Sequence, residues 1–479
     1  MIASVSLQAF RIARKEFVDL VRDGRFVGSA VVLGVLLTTA LLIGFVHWRT
    51  VAADHKRAME QARMDFVCQE EKNPHAAAHY GMFVFKPRSP LSFVDRGVDA
   101  YTGVSFKLEA HHRNEPQHVP AKDSTTLQRF GELTASLVLQ ALVPLVIIFL
   151  GFSAFTSERE RGTLRQLLSL GVRPLDLAAG KLLGIAAALG LVLVPVTLVG
   201  VGLISLGGDV ELTPSRTRFV LLTLTYLGWF AVVLMVTLAV SARSRSSRAA
   251  LLTLLGFWML NVIAAPRLAA DVAKRLAPTP SAFEFARQVE RDLQGGIDGH
   301  NAADERLEKI KQELLDKYQV DDVEDLPVNF AGIALQEGEN ATNAILDKCY
   351  AELWQSFRDQ DVVREALGLL FPALATRSLS MALAGTDNAH HEQFAEAAER
   401  YRRILVRDLN QLLIENAGDL GSAYTIGRKE YETIPHFHYR MPPAREVVER
   451  ATLPIVGLAI WLALSGYALY ASAQDLRPE

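Results

Sequence analysis

Three groups of residues in this chain could do chemistry: the histidines, the two cysteines and a charged stretch around Glu158. Neutral imidazoles are common ligands for zinc and copper, and His390-His391-Glu392 and the pair His436 and His438 are the closest approaches to a ligand pattern. The first opens like the His-Glu-x-x-His zinc helix, but the position that should carry its second histidine is Ala395. His55, His75, His79, His111, His112 and His118 gather in a segment near the N-terminal side. Twelve histidines are unexceptional for a chain of this size, so the expectation is surface or structural roles and no metal site. Cys68 and Cys349 stand in different polar segments rather than in a ligand spacing. A disulfide between them and two separate thiols both remain open. A phosphate-binding G-x-x-x-x-G-K-[S/T] loop is missing, because Gly180-Lys181 lacks the upstream glycine. No ATP and no other cofactor is expected to bind this chain.

The charged stretch is more telling. It runs Thr156-Ser-Glu-Arg-Glu-Arg-Gly-Thr-Leu and then offers Leu164, Leu167 and Leu168 on one face of a short helix. Gly171 and Pro174 stop that helix, and the chain is expected to turn back at Gly180 and Lys181. A compact amphipathic helix pinned between two long apolar runs is a lever that passes movement of a docked partner to both of them.

The elements that hold this lever follow from the distribution of apolar residues. Mean hydropathy is +0.17 and 50% of residues are apolar, yet 22% are charged, which requires the two kinds to be segregated. Six runs are long enough to cross about 30 Å of hydrocarbon: Phe26 to Trp48, Leu133 to Phe155, Leu182 to Leu206, Phe219 to Val240, Ala249 to Ala265 and Leu453 to Ala471. The fifth is the shortest, ends at Pro266, and equally reads as a helix that bends or re-enters. The first is too long for a signal-peptide core and reads as a retained anchor. Ahead of it, Leu7, Phe10, Ala13, Phe17, Leu20 and Val21 recur at helical spacing among basic residues, the pattern of a helix lying in the membrane interface.

Lys and Arg concentrate before the first run, between the second and third, and in Ser241-Ala-Arg-Ser-Arg-Ser-Ser-Arg248. By the positive-inside rule these connections and both termini are cytoplasmic, in the inner membrane. Residues 49–132 and 266–452 then lie outside, the latter with 22 basic against 32 acidic residues from Arg267 to Thr452. The acidic exterior and the short juxtamembrane basic runs exclude a nucleic-acid role. The six runs contain no Asp, Glu, Lys or Arg, which argues against an ion-coupled pump or an intramembrane protease. Gln140, Thr223 and Asn261 are the polar candidates for a translocation path.

The fold class expected is an all-α integral membrane protein with six transmembrane helices and two outer insertions. The segments are an interfacial helix at 1–25, the first span at 26–48, and an outer segment at 49–132. Spans two to five with the lever at 156–181 occupy 133–265, the large outer domain 266–452, and the sixth span with a short tail 453–479. Alternation in Gly81 to Lys86 and Tyr101 to Leu108 predicts strands in a small mixed α/β insertion. Helical periodicity over Phe283 to Leu293, Arg306 to Tyr318, Asn343 to Leu370 and Gln393 to Asn416 predicts a mainly helical second insertion.

With the interfacial helix, six spans and the motif at Glu158, Glu160, Gly162, Thr163, Leu164, Leu167, Leu168, Pro174, Gly180 and Lys181, the chain resembles the type-2 ABC transporter permeases. It is similar to a branch that carries a large extracytoplasmic domain between the last two spans. The resemblance implies that the lever is the coupling helix and that a separate ATPase binds ATP and Mg. It also implies a second permease subunit, the same or paralogous, in the same lipid bilayer. The function expected is export of a substrate powered by that ATPase. The alternative is a mechanotransmitting scaffold that conveys ATPase motion to a periplasmic partner and moves nothing across the bilayer.

Overall fold

The computed structural model describes residues 6–123, 133–207, 212–294 and 305–477. The first five residues of the expected interfacial helix, the closing stretch of the first outer segment up to Glu132 and the last two residues of the tail lie outside them.

The described chain is mostly helical, with one small sheet. Helix α1 (Leu7–Arg22) is capped by Ser6, whose hydroxyl accepts from Ala9 N. Helix α2 (Gly24–Val67) follows after Asp23, whose carboxylate caps it. It is 44 residues long, about 66 Å at 1.5 Å per residue, so the helix does not end with the apolar run at Trp48. Its second half is polar without a glycine or proline to stop it.

Helix α3 (Pro74–Tyr80) leads into strands β1 (Met82–Phe85), β2 (Ser105–Glu109) and β3 (His112–Arg113). They form an antiparallel sheet in the order β1-β2-β3, with Met82 opposite Leu108 and Leu108 opposite Arg113. Helix α4 (Ala135–Glu160) passes through a π segment at Val138–Leu142 and turns at 152–155. Then come α5 (Thr163–Ser169), α6 (Pro174–Ser205), α7 (Leu212–Arg243) and α8 (Ser247–Leu276).

Helix α8 corrects the expectation that the fifth run ends at Pro266. A π segment, Met259–Ala264, precedes the proline, and the helix continues through it to Leu276. The wider turn absorbs the missing N–H and the ring that would otherwise clash with the preceding turn. Pro144 in α4 follows a π segment in the same way.

The rest of the chain supplies α9 (Ala282–Leu293), α10 (Glu305–Tyr318), α11 (Phe330–Leu367), α12 (Pro372–Ala384), α13 (Asn388–Asn416) and α14 (Thr452–Gln474). Among the described residues, six helices, α2, α4, α6, α7, α8 and α14, are long and apolar enough to cross a membrane. Of these, α4 and α7 have the largest buried shares and form the centre of the bundle. Trp229 of α7 and Ile147 and Ile148 of α4 are inaccessible there.

Helix α12 is an element the periodicity does not announce. Its 13 residues are buried on nearly every side, and it packs between α7 and α14, so Leu379, Ala382 and Leu383 share one core with the bundle. The two insertions are likewise not separate bodies. Phe66 and Val67 of α2, Met82, Val84, Phe106 and Leu108 of the sheet and Phe394, Leu405 and Leu409 of α13 form a single core. Arg63 of α2 donates to the carbonyls of Tyr431 and Ile434 at 3.3 and 2.7 Å. Cys68 is exposed at the end of α2. Cys349 is buried in a different core beside Phe285, where its thiol lies 3.5 Å from Asp292 Oδ2. Both are free thiols, so the structure does not join them.

The side of the bundle that carries these insertions is called the domain side below, and the opposite side, with the short connections, the loop side.

Candidate functional site

On the loop side, three consecutive residues at the end of α4 each hold a different part of the molecule. Glu158 Oε1 accepts from Lys181 Nζ of α6 at 2.8 Å, and the same ammonium reaches Glu16 Oε1 of α1 at 3.1 Å. Arg159 donates to the carbonyls of Ser244 and Ala242 at 2.6 and 2.7 Å, satisfying acceptors at the C-terminal end of α7. Glu160 accepts from Ser247 N at 2.7 Å and from Ser247 Oγ at 3.0 Å, which caps the first turn of α8 with a negative charge. Behind them, Phe155 N donates to Ser241 Oγ at 3.0 Å, and the hydroxyls of Thr156 and Ser247 are 2.8 Å apart. Helices α1, α4, α6, α7 and α8 are thus tied together within one turn of α4.

Lys181 is the centre of this joint. It is 1% exposed, and its ammonium also lies 5.4 Å from the centroid of the Phe155 ring. The expected turn at Gly180 and Lys181 is corrected: both residues lie inside α6, which begins at Pro174, and the chain reverses earlier, at Gly171 (φ +85°). A side chain at Gly180 would sit 2.6 Å from Ile12 Cβ, and one at Gly184 would sit 2.9 Å from Ala13 O. These two glycines, one turn apart, let α1 lie directly on α6 through Ala9 and Ala13. Asp176 fixes the other end of the contact, accepting from Ser6 Oγ at 2.6 Å and Arg173 Nε at 2.6 Å.

The expected leucine face points inward. Leu164 is buried, and Leu167, Leu168 and Val172 pack beside it against the bundle core. Gly162 takes a left-handed conformation (φ +72°) that breaks the chain between α4 and α5, and Thr163 Oγ1 donates back to Glu158 O at 3.2 Å. Pro174 occupies the first turn of α6. The solvent face of α5 is therefore Arg165, Gln166 and Ser169, continued by Leu170, which is 80% exposed.

Sequence reasoning missed Glu16, Arg159, Asp176 and Ser247. Arg159 sits between two motif residues, and Ser247 belongs to a basic run read only as a cytoplasmic connection.

The three candidate path residues have separate partners. Gln140 Nε2 donates to Tyr226 OH at 3.2 Å; that hydroxyl is 2.7 Å from Ser380 Oγ of α12, which donates to Asp95 Oδ2 at 2.5 Å. Gln140 thus belongs to a polar chain joining α4, α7, α12 and the first insertion. Burial pushes the Asp95 carboxyl above its usual range. Thr223 bonds back to Phe219 O at 2.9 Å. Asn261 is buried in the π segment of α8 and donates to Phe257 O at 3.1 Å.

The domain side holds a cavity of about 860 Å³ between the two insertions. Phe106, Tyr350, Trp354 and Phe357 give it an aromatic wall, and Arg113 and Arg358 bring cations to it. His391 also lines it, and burial, with the nearby Lys86 charge, pushes its pKa down to about 4. Next to the cavity, Asp387 accepts from His390 Nδ1 at 2.5 Å, and His390 Nε2 lies 3.3 Å from Arg218 Nη1 at the domain-side end of α7. Burial opposes ionisation of Asp387, but the His390 contacts outweigh it and hold the carboxyl at about 2.

A family model described as a domain of unknown function (DUF3526) matches residues 282–440, which include α11, α12 and α13. No curated protein matches the chain at a significant level. A model described as ABC-2 family transporter protein matches residues 10–319, from α1 through all the joint residues from Glu16 to Ser247. Members of that family are membrane permeases that work with a separate ABC ATPase and carry no nucleotide-binding subunit themselves. On a match over more than half its length, and with six helices of membrane-crossing length, the chain belongs to the ABC-2 family of transporter proteins.

Proposed function

We infer that this chain is the permease half of an exporter in the inner membrane, that its loop side is cytoplasmic, and that the 156–170 segment is the coupling helix on which the ATPase rests. Both termini are then cytoplasmic and the two insertions extracytoplasmic. The observation that carries the reading is the joint: a push on α5 reaches α6 and α1 through Glu158, α7 through Arg159 and α8 through Glu160. The ATP and Mg are bound by the ATPase, and a second permease subunit, the same or paralogous, completes the pathway. The domain-side cavity supports export, since it offers a substrate aromatic surface and cations beyond the bundle.

A second reading keeps the same joint and dispenses with transport. The length of α2 and its shared core with the sheet and α13 favour it, because a continuous helix conveys loop-side motion to a periplasmic partner without a pathway.

Glu160→Ala and Gly162→Pro test the joint in the complex assembled with its ATPase. Glu160→Ala removes the carboxylate that accepts from Ser247 N and Oγ and leaves the N-cap Ser246 of α8 in place, and proline cannot adopt the positive φ of Gly162. Each variant is expected to lower ATP hydrolysis by the complex at least about fivefold, equivalent to about 1 kcal/mol in coupling, while the ATPase alone is unchanged. Hydrolysis and transport at the unmutated level in both variants contradict the assignment.

A further inference from the structure

We propose that His75, His79 and His111 form a binding site for a divalent transition-metal ion of the zinc type, at the seam between the two insertions. His75 and His79 are one helical turn apart on α3, and His111 comes to them from the turn between β2 and β3. Their ligand atoms all lie within 4.8 Å of one another. His75 Nε2 and His111 Nε2 are 3.2 Å apart, against roughly 3.3 Å for two nitrogens sharing a tetrahedral zinc at 2.0–2.1 Å. His75 is buried, His111 half-buried and His79 exposed, which leaves an approach for the ion and an open fourth position.

The second observation is what stands behind the rings. His75 Nδ1 lies 3.1 Å from Asn410 Oδ1, and Asn410 Nδ2 donates to Gln336 Oε1 at 3.1 Å. His111 Nδ1 lies 2.9 Å from Glu339 Oε1, and the same oxygen receives the His111 backbone N–H. The two Nε2 atoms face each other across 3.2 Å, the separation that a cation held by both would bridge. A carboxylate or amide oxygen behind the far nitrogen is how ligating histidines are oriented and made more basic.

His111 also holds a left-handed conformation (φ +63°) unusual for a residue with a side chain. Glu339, which accepts the His111 backbone N–H and lies beside its ring, keeps it there. All three ligands come from the first insertion and both supporting groups, Glu339 and Asn410, from the second. Metal binding would stiffen the seam between them.

The test uses the full-length chain in detergent, without a polyhistidine tag and stripped with a chelator, titrated with Zn2+ against a chromophoric competitor and with Co2+ by visible absorption. One Zn2+ per chain and tetrahedral Co2+ bands are expected. His79→Ala, at an exposed position that leaves the core intact, should weaken Zn2+ binding tenfold or more without moving the melting temperature of the metal-free protein. His75→Ala should abolish the Co2+ bands, and a His436→Ala, His438→Ala double variant should bind as the parent does. Absence of stoichiometric Zn2+ in the parent, or unchanged affinity in both His79→Ala and His75→Ala, overturns the proposal.

Discussion

Lys181→Met is expected to destabilise the loop-side joint by about 3 kcal/mol, since removing one partner of a buried ion pair leaves the others uncompensated. Methionine keeps a stem of similar size and loses the ammonium, with its approach to the Phe155 ring, so the loss is chiefly of charge. What remains is Glu16 and Glu158, both largely withdrawn from solvent and converging on the point the ammonium held. Their repulsion should open the contact between α1, α4 and α6, lower the thermal midpoint of the purified chain, and reduce ATP hydrolysis by the assembled complex more than either single carboxylate change. Adding Glu158→Gln to Lys181→Met should recover part of both losses, because one of the two stranded charges is gone. If Lys181→Met melts and hydrolyses as the parent does, the joint is not held by this cluster.

Arg402→Met should have a comparable effect on the domain side. Arg402 is 1% exposed, and its guanidinium binds Glu399 twice, at 2.8 and 2.9 Å, Glu339 at 3.2 Å and the Glu109 carbonyl at 3.2 Å, with Asn343 completing the set. One side chain of α13 therefore fixes α11 and β2. Burial works against ionisation of Glu339, but the hydrogen bonds from His111 and the Arg402 charge hold its carboxyl at about 2. In Arg402→Met, Glu339 and Glu399 would lose the guanidinium between them, while Arg403 Nε still donates to Glu399 at 2.8 Å, at a cost of about 3 kcal/mol. Lysine cannot reproduce the forked geometry, so Arg402→Lys should fall between methionine and the parent. Limited proteolysis and thermal unfolding in detergent check this. Equal protease resistance of Arg402→Met and the parent would show that the network is dispensable.

Hydropathy carried most of the membrane part. The six helices of crossing length coincide with the six apolar runs, because a continuous apolar stretch has few other ways to satisfy its backbone. Strands β1 and β2 fall on the alternating stretches for the same kind of reason. What was illegible depended on contacts between distant residues. Amphipathicity gave α5 an apolar face through Leu164, Leu167 and Leu168 but not its direction, and that face turns to the bundle.

Helix α12 is too short to register as a span and is interrupted by Thr376, Arg377, Ser378 and Ser380, so only its packing between α7 and α14 reveals it as a core element. Pro266 reads as a stop until the π segment before it is seen. The Lys181 cluster draws on positions 16, 158 and 181, and the histidine cluster pairs an i, i+4 couple with a residue from a later hairpin. Neither grouping has a sequence spacing.

The central claim is that an ATPase bears on the solvent face of α5 and that the opposite face transmits the load. A photo-reactive amino acid placed singly at Leu170, at Arg165 or at Leu164, followed by illumination of the complex assembled with its ATPase, tests it most directly. Adducts with the ATPase are predicted from Leu170 and Arg165, which face solvent, and none from Leu164, which is buried against the bundle. Adducts from Leu164 alone, or none from any of the three in a complex that hydrolyses ATP, would contradict the account.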